Sequence, residues 1–321
     1  MNKFSRLAGV FACAAMVAAA AGCATNSSVT PGAGLAPASV PQAQTELQRL
    51  NTAGPDWITK DGVTYHRPHY MGTVQSVRHN AQPGIQLSYG GGRLLYKPKM
   101  YLIFWGFKTY GDPNKIKPLL VSYGKAIGGS PLNNVLTQYT GTSGSITNPH
   151  AQYGLAWNDN ATAVPAHPTD SQIAAEALLG VQHFGYDPNG SYVVATPHGR
   201  SSTGFGSQWC AYHSSTNSGG NLVSYTDLPY MPDAGGNCGA NIITAPSDEQ
   251  AVDEGMTIVE GHEYAESVTD PDPFSGWNSG FGEIGDLCAW TDIQNDPFKK
   301  KSYSAQPEYS NASSSCVHSY P

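Results

Sequence analysis

Charge is scarce in this chain: of 321 residues only 13% are Asp, Glu, Lys or Arg, and the net charge is -7. The one basic cluster, Lys299-Lys300-Lys301, is too short to track a phosphate backbone and reads as a solvated turn. Nucleic acid is therefore not an expected partner. No GxSxG elbow occurs, so a serine hydrolase is not supported. Gly90-Gly91-Gly92 lacks a following Lys-Ser/Thr and reads as a turn, not a phosphate loop. No CxxC pair occurs, which argues against a cysteine-ligated zinc site. The longest apolar run, Leu7 to Ala21, is too short for a comfortable membrane span. No internal repeat is apparent.

That run instead reads as an export signal, with Lys3 and Arg6 before it and Ala20-Ala21-Gly22-Cys23 after it. The lipobox-like end predicts a signal peptide over 1–22 and acylation of Cys23. The expected location is extracytoplasmic, as an outer-membrane lipoprotein or a secreted protein, with membrane contact only through the lipid at Cys23. Residues 23–55 are rich in Ala, Pro, Ser, Thr, Gln and Asn and read as a disordered leader or tether. Residues 56–321 are long enough for one large domain, single or two-lobed.

Beyond Cys13 and Cys23 four cysteines remain, an even number in an exported chain. Three connectivities are open. Cys210–Cys238 and Cys288–Cys316 are favoured because each closes a short local loop.

Along the chain, Met100 to Gly106 and Ser191 to Thr196 read as strands, as do Trp209 to His213 and Leu222 to Tyr225. Helices are expected over 114–126, 131–139 and 170–184, the last capped by Thr169 or Asp170. Ser247-Asp248-Glu249-Gln250 has capping-box spacing and predicts a long helix over about 248–269, ended by Pro271. The result is an α+β fold with a mixed β-sheet packed against that long helix.

The helix carries the chemistry. Gly261-His262-Glu263-Tyr264-Ala265-Glu266 is an HExxE pattern. Positions i and i+4 converge on one helical face, so His262 and Glu266 can ligate one ion. A catalytic zinc takes three protein ligands and a water, and His and Glu both serve. Glu263 stands where a general base would activate that water. The third ligand is expected to be Glu283, with Asp272 and Asp286 competing for the role. Asp270, Asp272, Glu283 and Asp286 together suit a hard cation, so a calcium site is a separate possibility. Two carboxylate ligands would lower the Lewis acidity of the ion. His198 and His213 follow predicted strands and could stabilise an oxyanion, His213 being the catalytic candidate. His66, His69, His79, His150, His167 and His183 sit in polar contexts and read as surface residues.

The ordered segments Tyr101 to Gly106, Trp209 to Ser214, Leu228 to Tyr230, Gly261 to Pro271 and Gly282 to Cys288 resemble a group of secreted bacterial proteins with a zincin-like HExxE helix. The series is distantly similar to the plant EXORDIUM or phosphate-induced protein family. The resemblance covers roughly 95–290. It implies a metallopeptidase-like fold with His262 and Glu266 as ligands and Glu263 as base.

Two functions follow as expectations. The first is zinc-dependent hydrolysis of peptide bonds in protein or peptide substrates by a monomer. The second is a non-catalytic extracellular protein that binds peptide or glycan around a structural metal or calcium site. A metal-free acid hydrolase using Glu263 and Glu266 is a third, weaker option.

Overall fold

The sheet begins with three short strands, β1 (Trp57–Lys60), β2 (Val63–His66) and β3 (His69–Gly72). It continues with β4 (Lys99–Trp105), β5 (Tyr153–Asp159), β6 (Gly190–Ala195), β7 (Trp209–Ser218) and β8 (Asn221–Leu228). The order is β1-β2-β7-β8-β6-β4-β5, with β3 also paired to β7. Strands β8, β6, β4 and β5 run parallel to one another, and the other pairings are antiparallel. The protein is thus α+β with a mixed sheet. The parallel centre is nearly uniform apolar sequence because it is covered on both faces. The β7–β8 hairpin turns on Gly219 and Gly220, at φ 58° and 91°, a conformation that only glycine adopts freely.

This computed structural model describes residues 40–77, 84–244, 246 and 248–321. The expected signal peptide, Cys23 and His79 lie outside the described residues. From Ala38 onward the chain is one unit by its internal contacts. No helix among the described residues is long and apolar enough to cross a membrane.

Part of the expected tether is ordered. Val40–Thr52 forms helix α1, which lies along β3. Its Asn51 accepts from the Tyr70 N–H (2.9 Å) and donates to the Tyr70 carbonyl (3.2 Å). A polar composition did not prevent a helix here because Leu47 and Leu50 pack against the protein, Leu50 on one apolar cluster and Leu47 close over Gly72.

Alternation along the strands gives the sheet two cores. Leu102, Phe104, Val193, Ala195 and Ala211 face one side, with helix α2 (Ile116–Ile127). Ile103, Trp105, Tyr192, Val194 and Tyr212 face the other, under helix α3 (Asp170–Phe184). Helix α3 starts with a complete capping box between Thr169 and Gln172. The segment 131–139 is a four-residue helical turn followed by a 3₁₀ turn.

Helix α4 (Glu254–Thr269) carries the HExxE pattern, and all of its residues are buried. It packs against the sheet, α2 and a C-terminal hairpin of β9 (Gln294–Phe298) and β10 (Lys301–Ala305). The helix starts later than the capping-box spacing suggests. Residues 251–253 form a 3₁₀ turn, and Ser247 lies outside the described residues. Asp248 instead pairs with Lys301 and accepts from the Ser302 N–H, while Glu249 accepts from Thr257 and Ser304. Those bonds hold the segment extended along the hairpin. Gly255 lets α4 approach closely, since a Cβ there would fall 1.9 Å from the Cys238 carbonyl oxygen. The helix ends at Asp270, before Pro271.

Two disulfides are present, Cys210–Cys238 and Cys288–Cys316. The first ties β7 to the segment before α4. The second holds the loop after α4 to the C-terminal strands.

Candidate metal centre

Three parts of the chain meet beside α4. The helix brings His262, Glu263 and Glu266, all fully buried. The following loop returns with Glu283 and Asp286. The sheet presents His69 and His213, which face each other across the β3–β7 pairing with ring centroids 5.6 Å apart. Strand alternation puts both rings on the α4 side, together with their neighbours Met71 and Ala211.

His262 Nε2 lies 3.2 Å from Glu266 Oε1 and 3.7 Å from Asp286 Oδ1. Ligands of a tetrahedral zinc with bonds of about 2.0–2.1 Å sit about 3.3 Å from one another. The opposite ring nitrogen, His262 Nδ1, is 3.1 Å from Gln306 Nε2, which also donates to the Gly285 carbonyl. An amide nitrogen only donates, so ligation through His262 Nε2 would need the Gln306 amide flipped, with its oxygen accepting from Nδ1–H. Gly285 has to be glycine, because a Cβ there would fall 2.6 Å from His262 Nδ1. The Asp286 N–H donates to Glu266 Oε1 at 3.0 Å, and its carboxylate accepts from His69 Nε2 at 2.6 Å.

His213 sits deeper. Its Nδ1 is 3.4 Å from both Glu263 Oε2 and Glu266 Oε2. Its Nε2 is 3.2 Å from the Asp270 carbonyl and 3.4 Å from Glu283 Oε2. Two groups of residues each offer three ligand atoms within 4.8 Å of one another: His69, Glu266 and Asp286, and His213, Glu263 and Glu266.

The cluster is electrostatically unbalanced as a protein alone. Burial, then Glu266, Asp286 and Glu260, holds the Glu263 carboxyl well above the carboxylate range. Burial, then Asp270 and Glu266, does the same to Glu283. Burial would raise Glu266 too, but His262, His213 and His69 outweigh it and hold Glu266 well below that range. Burial depresses His69, yet Asp286, Glu266 and Asp270 lift it to about 9. His262 is raised, Glu266 outweighing burial, and His213 is lowered by burial. Many of these atoms are buried without a hydrogen-bond partner, among them His262 Nε2, His213 Nδ1, Glu266 Oε2 and both oxygens of Glu263 and Glu283. Buried polar atoms are normally satisfied, so this donor set fits a cation of the kind bound by nitrogen and oxygen ligands.

A cleft of about 750 Å³ opens onto the cluster. Asn51 and Leu47 of α1 wall one side, Phe274 and Phe281 line the mouth, and His69, Glu283 and Asp286 reach the cavity.

The structure brings His213, His262, Glu263, Glu266, Glu283 and Asp286 together. It places Asp286 against His262, and Glu283 against His213 and His69. Asp270 and Asp272 are engaged elsewhere. Asp270 accepts from the backbone of Ser275 and Gly276 and from Asn278, and Asp272 pairs with Arg93. His198 is more than half exposed and pairs with Asp233. His69 reads as a surface residue from sequence but is only 2% exposed and belongs to the centre. His66 is buried as well, edge-on to Trp57. His150, His167 and His183 are exposed. Only the strand alternation of His69, Tyr70 and Met71 could have pointed inward, and pairing with His213 is what completes the arrangement.

No family model, no curated protein and no solved structure matches this chain.

Proposed function

We propose that the chain is an exported metal-dependent hydrolase of peptide bonds, with a zincin-like arrangement of helix and sheet. The observation that supports it most is the spacing at His262 Nε2, 3.2 Å from buried Glu266 Oε1 and 3.7 Å from the partly exposed Asp286 Oδ1, close to the ligand–ligand edge of a zinc site. Zinc held there would supply Lewis acidity and an activated water. His262 and Glu266 come from one rigid helix, so their geometry costs no loop entropy. Asp286 is kept in place by its own backbone bond to Glu266 and by His69. His69 therefore acts as a positioning residue.

Glu263 is the general base. Its Oε1 has no partner, so it is free to take a proton from a water delivered beside Glu266 and later to return it to the leaving amine. A cation next to the cluster pulls its carboxyl down into the working range. His213 Nδ1 stands 3.4 Å from one oxygen of each of Glu263 and Glu266. The two disulfides support an oxidising, extracytoplasmic location.

The test is metal analysis of the purified chain together with peptide hydrolysis by wild type and Glu263→Gln. A loss of about 10²–10⁴-fold in kcat for the variant is expected. A chain with no stoichiometric transition metal and full activity in Glu263→Gln would sink the proposal.

One observation favours a second reading. His262, Glu263 and Glu266 are all fully buried, as in a structural ion site. A non-catalytic binding protein of that kind would lose thermal stability on chelation and show no Glu263-dependent proteolysis.

A further inference from the structure

We propose that the centre holds two divalent cations, bridged by Glu266, with the second between His213 and Glu263. The proposal rests on the metal reading above and adds a second position to it.

The two oxygens of Glu266 face different donors. Oε1 is turned to His262 and the Asp286 backbone, and Oε2 to His213. A carboxylate used in this way joins two ions about 3.5–4 Å apart, the separation of two-metal hydrolytic sites. The second set is comparably spaced to the first, whose distances are 3.2 and 3.7 Å. His213 Nδ1 is 3.4 Å from Glu263 Oε2 and 3.4 Å from Glu266 Oε2, and these residues form a ligand group of their own.

The His213 tautomer adds an independent argument. Its Nε2 lies 3.2 Å from the carbonyl oxygen of Asp270, which can only accept. The ring proton therefore belongs on Nε2, and the Nδ1 lone pair points at two carboxylate oxygens. All three atoms are buried without a hydrogen-bond partner, so the set asks for a proton or a cation between them. A cation there would be coordinated by all three. The rival occupant is a proton, carried by Glu263 Oε2 or by His213 Nδ1.

Formal charge points the same way. Four carboxylates, Glu263, Glu266, Glu283 and Asp286, contact the three imidazoles of His69, His213 and His262. With all four ionised, one dication and a protonated His69 still leave net negative charge in the site, which a second dication offsets. Buried charge without compensation is costly. In this arrangement Glu263 coordinates through Oε2 and retains Oε1 for the proton.

The test uses the full mature chain, stripped with EDTA and reloaded with Zn²⁺ or Mn²⁺. Metal content after desalting should be two ions per chain. His213→Gln should reduce it to one. The near-isosteric Glu263→Gln should do the same, and covers the case in which His213→Gln fails to fold. With Mn²⁺ the wild-type paramagnetic resonance spectrum should show exchange coupling, and either variant should show an isolated ion. One ion per chain in the wild type, with an uncoupled spectrum and no change in His213→Gln, would overturn this proposal and leave the single-metal hydrolase standing. No retained ion would overturn both.

Discussion

Both faces of the central sheet bury carboxylates, but they surround them differently. On the α4 face, Glu263, Glu266, Glu283 and Asp286 lie within ion-pair reach of His69, His213 or His262. On the α3 face, Glu176 neighbours Asp159, and Asp227 accepts from Ser202, with no imidazole beside either. Burial raises both of these acids to about 8. They can rest as neutral carboxyls, although both Glu176 oxygens and Asp227 Oδ1 are also buried without a hydrogen-bond partner; what they lack is a facing imidazole. The α4 cluster cannot relax in that way. Glu266 is held ionised by the histidines while Glu263 and Glu283 are pushed up beside it. Buried acidity alone therefore does not mark a site, whereas acids interleaved with fixed imidazole nitrogens do.

The largest effects should come from removing donors on the α4 face. Glu266→Gln, which removes a ligand of both positions, should abolish stoichiometric metal, His262→Ala should cost one ion, and each should reduce peptide hydrolysis by at least about 10³-fold, while Asp227→Asn should leave metal content unchanged. Atomic absorption on the three purified variants checks this. Equal metal loss in Asp227→Asn would erase the contrast between the faces. Next in size is chelation. For an ion present at a thousand times its dissociation constant, stripping should cost about 4 kcal/mol of stability. Differential scanning calorimetry with and without EDTA reads it, and an unchanged Tm would contradict a native-state ion.

A further contrast separates the disulfides. Each closes a 28-residue separation, so loss of either should cost about 3 to 4 kcal/mol by the chain-entropy argument. Only Cys288→Ser with Cys316→Ser should also weaken metal binding, because Cys288 lies two residues from Asp286. The Cys210→Ser, Cys238→Ser pair keeps the α4 loop intact. Isothermal titration with Zn²⁺ distinguishes them, and equal weakening would mean that the loop is held by other contacts.

The contrast was half legible in the amino-acid order. His262 and Glu266 are four residues apart on one helix, and the returning loop follows within 20 residues, so local spacing exposed both. The apolar runs of β4 and β6 announced a buried sheet for the same reason. His69 was not legible. It lies 217 residues from Asp286 and reaches it only through strand pairing, which spacing does not encode. The start of α4 was misplaced because Asp248 and Glu249 bond to the β10 strand, a tertiary competitor to the capping box. The polar segment of helix α1 shows its order only once β3 is there to dock on.

The smallest expected effect belongs to the α3 face and isolates it from the metal. Glu176 is raised from 4.5 to about 8, chiefly by burial and then by Asp159. A carboxyl with a raised folded pKa contributes stability that is complete below its unfolded pKa and is lost as pH climbs through the folded value. Over the window from about pH 4.5 to 8 the folded chain retains a proton that the unfolded chain has released, so stability should fall. Glu176→Gln keeps the shape and cannot ionise. It should therefore flatten that decline, by on the order of 2 kcal/mol at pH 8, without altering metal content. Urea unfolding at pH 5 and pH 8, on chains stripped of metal, measures the difference. A variant whose slope with pH matches the wild type would show that Glu176 is ionised and solvated in the native state, and the two faces of the sheet would then bury their acids on the same terms.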